Sequence, residues 1–397
     1  MTLSHRLTHL TPGGDDGWGL FRRARDLKRA GHPIIELTIG EHDIRTHPRI
    51  LDAMHDAARA GHTGYADVPG IPALRQAVAD RVTAQSGVPT GPENVQITAG
   101  GQAALFAAHM AVADPGATAL YVDPYYATYP GTVRGAGLVP KTIPARPEDG
   151  FQPDLAALAD AAPDARSFLI NTPNNPTGVI YSRATLEGIA QIARANDLWL
   201  ISDEVYDSQV WEGEHLSPRA LPGMAERTLV VGSLSKSHAM TGSRLGWLVG
   251  PAAVIDALSN LATHTTYGIP GFIQDAGLFA LRLGPEFEAE VAAPFARRRA
   301  LTEAALAGQQ VVRAAPMQGG MYAMLDIRPT GRSGTAFAES LLDATGVAVM
   351  PGESFGTAAA GHVRVAMTVA DEDYADDLDR LLDHAATLAG LPLNRSA

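Results

Sequence analysis

Short apolar runs alternate with longer stretches of helical period, and this alternation constrains the fold of the chain more than any other feature. The apolar runs resemble buried strands and lie at residues 95–97, 119–122, 168–170, 198–201, 229–231 and 245–249, with helical stretches such as 102–112 and 184–195 between them. Alternation of this kind implies βαβ crossovers and a mainly parallel sheet that helices cover on both faces. The sequence therefore predicts an α/β protein whose large domain has three αβα layers.

The length of 397 residues exceeds what one hydrophobic core usually organises. After about residue 290 strand-like segments such as 321–327 mix with helices, which predicts a smaller α+β domain. A predicted helix and a short strand before residue 45 could pack on that smaller domain. The predicted division is an N-terminal arm with part of the small domain (1–45), a large domain (46–290) and a small C-terminal domain (291–397).

Composition excludes several kinds of partner. The formal net charge of −12 argues against a broad nucleic-acid or anionic-membrane surface, because such partners need a basic footprint. With no cysteine the fold cannot depend on disulfides or thiolate metal sites, which suits a reducing compartment. No stretch approaches the roughly 20 apolar residues of a membrane helix, and the N-terminal residues have no apolar signal core. We expect a cytoplasmic protein without nucleic-acid, membrane or metal partners.

Polar residues follow five of the predicted strands directly. In open parallel sheets ligands bind outside the carboxyl ends of the strands, so these residues are expected to meet at one crevice. They are, strand by strand, Gly100, Gly101 and Gln102; Tyr125 and Tyr126; the turn 171–178 with Asn175; Asp203 and Tyr206; and Ser233, Ser235 and Lys236.

Two of these groups suggest specific chemistry. Ser233 and Ser235 lie beside Lys236 and close to Arg244, which suits a phosphate next to a reactive amine. The Asp203 carboxylate could pair with a protonated ring nitrogen. Each residue also has an ordinary alternative, because a lone lysine or arginine is usually a surface charge and a lone aspartate after a strand is usually an N-cap.

The motifs taken together resemble a known family. They are Asn-Pro-Thr-Gly at 175–178, Ser-Asp-Glu-Val-Tyr at 202–206, Ser-Leu-Ser-Lys at 233–236 and Thr-Gly-Ser-Arg-Leu-Gly at 241–246. Their order and spacing, from about residue 36 to 364, resemble the class I/II aminotransferases of the fold-type-I pyridoxal-phosphate enzymes. The resemblance implies pyridoxal 5′-phosphate as cofactor, and an amino acid and a 2-oxo acid as substrates of a ping-pong reaction.

The resemblance also assigns roles to residues that contact the cofactor. It implies that Lys236 holds the cofactor as an imine and that Asp203 pairs with the pyridine nitrogen. Asn175 and Tyr206 would bind the phenolic oxygen of the ring, and Tyr126 would stack on its face. The phosphate would be bound by the backbone of Gly101 and Gln102 with Ser233, Ser235 and Arg244.

Three further roles concern the substrate and a second chain. Arg364 falls where the family binds the substrate α-carboxylate, and Gly40 lies on the substrate-facing N-terminal segment. Tyr65 falls where the family reaches across an interface to the partner's phosphate, which implies a homodimer. The catalytic residues would be Lys236, Asp203 and Tyr206.

Some positions bear on the choice of donor. Gln102 stands where some bacterial aspartate aminotransferases of this type place a lysine for the distal carboxylate, so a dicarboxylic donor loses support. Our hypothesis is a neutral or aromatic donor, with Trp18 and Tyr267 as pocket residues. His42 occupies a position where relatives commonly carry proline, and the sequence gives it no role.

Two alternatives use the same scaffold differently. A carbon–sulfur β-lyase, or a cyclopropane-forming enzyme, would need the same cofactor residues, so only product analysis separates it from an aminotransferase. A non-catalytic ligand sensor would need an added DNA-binding domain, and the negative net charge disfavours one.

Overall fold

The computed structural model describes residues 1–12 and 16–391, which form two β-sheets and the helices around them. The strands are β1 (Ile35–Leu37), β2 (Val95–Thr98), β3 (Thr118–Asp123), β4 (Val139–Pro144), β5 (Ala165–Asn171), β6 (Trp199–Asp203), β7 (Thr228–Ser233), β8 (Gly246–Val249), β9 (Arg313–Ala314), β10 (Tyr322–Asp326), β11 (Val347–Pro351) and β12 (His362–Ala366). All six strands predicted from apolar runs between residues 95 and 249 are present.

Fourteen α-helices lie within the described residues. They are α1 (His5–Thr8), α2 (Gly19–Arg29), α3 (Pro48–Arg59), α4 (Pro72–Ser86), α5 (Gly100–Val112), α6 (Tyr129–Gly135), α7 (Leu155–Ala161), α8 (Arg183–Ala195), α9 (Leu234–Ser237), α10 (Ala252–Thr263), α11 (Gly271–Leu281), α12 (Gly284–Ala307), α13 (Gly334–Thr345) and α14 (Asp371–Leu388).

The larger sheet has seven strands in the order β2-β8-β7-β6-β5-β3-β4. Only β8 runs against its neighbours, pairing antiparallel with both β2 and β7, so the sheet is mainly parallel as predicted. The central strands β5 to β7 are buried almost throughout, because helices cover both faces. Apolar clusters on either side of the sheet, one around Phe168 and Leu200 and one around Leu169 and Leu229, form its two interfaces with helices.

The smaller sheet has five strands in the order β1-β11-β12-β10-β9. The N-terminal strand β1 pairs in parallel with β11, with Ile35 opposite Val347, so residues far apart in sequence share this sheet. The helix α12 crosses position 290, where the sequence places a domain boundary. The division into domains stays a prediction.

The sequence did not predict the edge strand β4, which pairs in parallel with β3. It contains Pro140 and Pro144, and most of its side chains are partly or fully exposed. An edge strand tolerates proline because one side of it makes no ladder hydrogen bonds. The missing apolar run is therefore a consequence of its position at the edge of the sheet.

Candidate active site

A cavity of about 270 Å³ opens where the carboxyl ends of β2, β3, β5, β6 and β7 meet the smaller sheet. Every predicted site residue except Tyr65 and Tyr267 lines this cavity. The predicted residues in its wall are Gly40, Gly101, Gln102, Tyr126, Asn175, Asp203, Tyr206, Ser233, Ser235, Lys236, Arg244 and Arg364.

One end of the cavity is built to receive an anion. Gly100 begins α5 with a φ of +78°, and a β-carbon there would lie 2.6 Å from Nη2 of Arg244. The guanidinium therefore lies against the N-terminus of α5, where exposed N–H groups and the helix dipole favour negative charge. The Ser233 hydroxyl donates to the Ser235 hydroxyl at 2.9 Å and accepts from the Ser235 N–H at 3.1 Å.

Lys236, on the short helix that follows β7, lines the cavity. Its Nζ donates a hydrogen bond to the backbone carbonyl of Gly40. Burial lowers the pKa of Lys236, and the nearby guanidinium groups of Arg364 and Arg244 act in the same direction. A lowered pKa increases the fraction of Lys236 that is a neutral, nucleophilic amine.

Asp203 ends β6 and is almost fully buried. Its Oδ2 accepts a hydrogen bond of 2.6 Å from the Tyr129 hydroxyl. Burial raises the pKa of Asp203 to about 6, although the Tyr129 hydrogen bond acts to lower it. The buried carboxylate is ionised at neutral pH and lacks a cationic partner among its described hydrogen bonds, which suits a cationic ligand atom.

Arg364 lies on β12, where it is 1% exposed. Its Nη1 donates to the Asn175 side-chain oxygen at 2.8 Å, and its Nη2 donates to the Thr38 carbonyl. The guanidinium also lies between two rings, 4.2 Å from the centroid of Tyr322 and 4.4 Å from that of Phe355. These contacts leave its positive charge without a carboxylate partner in the described chain, so a ligand carboxylate would complete the site.

Aromatic side chains form much of the remaining wall. The hydroxyls of Tyr206 and Tyr322 are 3.3 Å apart, and burial raises the pKa of Tyr206 well above its usual range. Burial also raises the pKa of Tyr126 to about 12, so both phenols are neutral donors at physiological pH. Trp18 contacts Tyr126 edge to face, with centroids 6.5 Å apart, as expected for a pocket residue.

The N-terminal segment closes the cavity from the side of the smaller sheet. A β-carbon at Gly40 would overlap the Tyr322 hydroxyl, so only glycine fits there. The ring of His42 is buried edge to face against Phe295, with centroids 5.1 Å apart. Burial lowers the pKa of His42 to about 4, so it packs as a neutral ring between this segment and α12.

Gln102 lies at the rim of the cavity with a fixed side chain. Its Nε2 donates to the Thr132 hydroxyl at 2.6 Å, and its Oε1 accepts from the Thr128 hydroxyl at 3.0 Å. Both ends of the amide are therefore hydrogen-bonded. Because the amide is neutral, Gln102 provides no positive charge that could bind a distal carboxylate of the substrate.

Two predicted residues lie outside the cavity. Tyr65 is 90% exposed and Tyr267 is 52% exposed, and their rings meet edge to face at 5.0 Å. Tyr267, which was predicted to be a pocket residue, does not line the cavity of its own chain. Its partner is Tyr65, which the sequence assigns to the site of a second chain.

Among the cavity-lining residues that sequence analysis missed, Tyr129 and Tyr322 contact predicted site residues directly. Tyr129 follows Tyr126 by three positions, so the period of a helical turn was the available signal. Tyr322 reaches Arg364 because Met324 pairs with Arg364 across β10 and β12, which places Tyr322 diagonally on the same face. The sequence does not reveal that register.

The family model for aminotransferase class I and II matches residues 32–381. The chain belongs to this family. Class I and II aminotransferases transfer amino groups, and their members related to aspartate aminotransferase depend on pyridoxal phosphate. The sequence-based identification of the family is confirmed.

The relatives of this aminotransferase extend over nearly its whole length. An arginine–pyruvate transaminase of Pseudomonas aeruginosa is 43% identical over 381 residues, which cover 95% of this chain and 96% of that protein. An aspartate/prephenate aminotransferase of Thermus thermophilus is 37% identical over 363 residues, which cover 90% of this chain and 92% of that protein. These relatives are transaminases, so they do not favour the carbon–sulfur lyase.

Solved structures agree with the fold. An aspartate aminotransferase of Thermus thermophilus with maleate has a TM-score of 0.90 and 35% identity, covering 97% of this chain and 100% of that one. The predicted α/β fold of the aminotransferase is therefore confirmed. None of the helices in residues 1–12 and 16–391 combines the length and apolarity needed to cross a bilayer.

Proposed function

We propose that the chain uses pyridoxal 5′-phosphate to move an amino group from an α-amino acid to a 2-oxo acid, in the cavity described above. One observation carries this proposal: Lys236, Asp203, Arg244 and Arg364 place two anion-binding groups, an amine and a buried carboxylate around one cavity. Each charge matches a different part of the cofactor or of an amino acid. The same set has no evident use in a purely structural role.

The residues present fit this cofactor. Gly101, Ser233, Ser235 and Arg244 would bind its phosphate, since they combine backbone N–H groups, hydroxyls and a guanidinium. Asp203 would hold the ring nitrogen in its protonated state. When bound, the cofactor supplies an aldehyde that receives the amino group and a ring that withdraws electrons. Tyr126, together with the hydrogen-bonding groups of Asn175 and Tyr206, would orient the ring.

The chain's own residues then account for substrate handling. Arg364 would bind the α-carboxylate of the donor and so fix the direction of its Cα–H bond. Lys236 is the lysine in the cavity wall, and its Nζ would remove the Cα proton. Gly40 would bring the backbone of the substrate-facing segment close to the Tyr322 hydroxyl, because it has no side chain to separate them.

An assay that measures both products tests this proposal. We expect protein reconstituted with the cofactor to consume an α-amino acid and pyruvate, and to form alanine and the matching 2-oxo acid in equal amounts. Chromatography of both products and an ammonia assay are the measurements. Release of ammonia in the absence of an oxo acid acceptor would instead indicate an elimination enzyme.

We further propose a homodimer in which Tyr65 acts at the site of the partner subunit. The support is the exposed aromatic pair of Tyr65 and Tyr267, which does not line the cavity of its own chain. Mixing Tyr65→Ala chains with Lys236→Ala chains should give more activity than the sum of the two, because a mixed dimer contains one unaltered site. Activity equal to that sum after subunit exchange, or a fully active monomer in sedimentation, would contradict the dimer.

The donor is the part of the function on which the relatives differ. One relative is named for arginine and others for aspartate, and these amino acids carry opposite distal charges. Gln102 offers no cation to a distal carboxylate, because both ends of its amide bind threonine hydroxyls. We therefore propose a donor without a distal carboxylate.

A further inference from the structure

A buried carboxylate joins the larger sheet to the smaller one. Asp123 ends β3 and is 5% exposed. Its Oδ2 accepts hydrogen bonds from the Thr357 N–H at 3.0 Å and from the Thr357 hydroxyl at 2.7 Å, and its Oδ1 accepts from the Ala358 N–H at 3.2 Å. The end of β3 is therefore bound to the segment 355–358, which lies between β11 and β12 of the smaller sheet.

A glycine lets this segment come close to β3. The φ of Gly356 is +118°, and a β-carbon there would overlap Oδ1 of Asp123. The positive φ and the close approach both favour glycine at this position. On the other side of Gly356, the Tyr125 N–H donates a hydrogen bond of 2.9 Å to the Phe355 carbonyl. Contacts on both sides of Gly356 thus fix where Phe355 lies relative to the larger sheet.

The ring of Phe355 lies on the guanidinium of Arg364. Phe355 is 0% exposed, and the centroid of its ring is 4.4 Å from the central guanidinium carbon. The ring of Tyr322 contacts the same group at 4.2 Å. Cation–π contacts are strongest where water is excluded, as it is here. A continuous series of contacts therefore runs from Asp123 through the segment 355–358 to Arg364.

We propose that Asp123 is a positioning residue for the substrate carboxylate. By holding Phe355 against Arg364, it fixes the direction in which the guanidinium points. This role rests on the proposed function, in which Arg364 binds the α-carboxylate. Because the amino acid and the 2-oxo acid both carry that group, Asp123 serves both halves of the reaction.

Asp123→Asn tests this role with little change of shape. The amide nitrogen cannot accept a hydrogen bond, so at least one of the three donors loses its partner. The kcat/KM of the holoenzyme should fall roughly tenfold for the donor and for pyruvate alike, because the cation–π contact of Arg364 is weakened. Steady-state kinetics with both substrates varied gives the two values separately. The dissociation constant of the cofactor should keep its wild-type value, because Asp203, Ser233 and Arg244 lie on other segments of the cavity wall.

A double-mutant cycle separates positioning from a general loss of stability. Phe355→Leu should lower kcat/KM for both substrates by a similar factor. Adding Asp123→Asn to Phe355→Leu should then have little further effect, since the ring through which Asp123 acts is already gone. If the two effects multiply instead, giving a loss of roughly a hundredfold, Asp123 does not act through Phe355 and the proposal is wrong.

A milder variant and a control complete the series. Thr357→Val removes the hydroxyl donor and leaves both backbone donors to Asp123, so kcat/KM should fall roughly threefold for both substrates. Thr357 is exposed, which makes this the deciding variant if thermal unfolding shows that Asp123→Asn does not fold. Asp164→Asn is the matched control, because Asp164 is exposed and directly precedes β5, at the end of that strand away from the cavity. The control should keep the wild-type kcat/KM.

Binding of pyruvate distinguishes failure of this role from failure of the proposed function. Pyruvate has no amino group, so it binds the pyridoxal-phosphate form of the enzyme without taking part in transfer, and calorimetry gives its dissociation constant. This constant should rise roughly tenfold in Asp123→Asn. Equal pyruvate binding in both proteins, or none in the wild type, overturns the role of Asp123 even where amino-group transfer is measured. Absence of transfer from every α-amino acid, with pyruvate binding as expected, overturns the proposed function alone.

Discussion

Lys236→Ala should lower kcat for amino-group transfer by roughly 10⁴-fold or more, because it removes both the nucleophile and the general base. The chain contains only three lysines, at positions 28, 141 and 236, and only the last lines the cavity. No second lysine in this cavity can take over. The measurement is steady-state kcat with pyruvate and a good donor, on protein saturated with cofactor.

Lys141→Ala is the matched control, since Lys141 is exposed on the edge strand β4. We expect this variant to keep wild-type activity, and thermal unfolding should show that both variants are folded. Borohydride reduction followed by peptide mass mapping gives an independent readout, with the cofactor adduct on residue 236 and on neither other lysine. An active Lys236→Ala protein, or an adduct elsewhere, would refute the assigned role.

The large sheet was predictable because its physics is local. A strand buried on both faces must be continuously apolar, so the runs around Phe168, Leu200 and Leu229 identify β5 to β7 without knowledge of their neighbours. Strand ends are equally visible, since polar residues such as Asp203 directly follow the apolar run. The edge strand β4 lacks this signal because its environment is half solvent.

The contacts that tune the site were not predictable to the same degree. Tyr129 and Tyr322 act through their hydrogen bonds to Asp203 and Tyr206, which depend on how helix α6 and the second sheet are placed. The burial of His42 likewise depends on α12, which lies more than 240 positions later in the sequence. Residue type and spacing in the sequence predict which charged groups form the site. The residues that contact those groups depend on long-range packing, which the sequence pattern does not reveal.

His109→Leu should make the protein more resistant to acid. His109 lies in α5, is 0% exposed, and neither of its ring nitrogens has a hydrogen-bond partner in the described chain. Burial lowers the pKa of His109 from its ordinary 6.5 to about 4. Between these values the unfolded chain binds a proton that the folded chain excludes, so wild-type stability is present above pH 6.5 and falls as the pH drops toward 4.

The variant cannot bind a proton at position 109. Because all other acidic and basic groups are the same in both proteins, the comparison with wild type isolates the effect of protonating His109. Since one pH unit of pKa difference is worth about 1.4 kcal/mol, the free energy of unfolding of His109→Leu should gain about 3 kcal/mol over wild type between pH 7 and pH 4. Urea unfolding at constant ionic strength measures this difference in free energy of unfolding between the variant and wild type. His55→Leu, which replaces an exposed histidine on α3, is the control for the substitution itself. If the difference in free energy of unfolding between His109→Leu and wild type did not change with pH, the buried ring would accept its proton without cost.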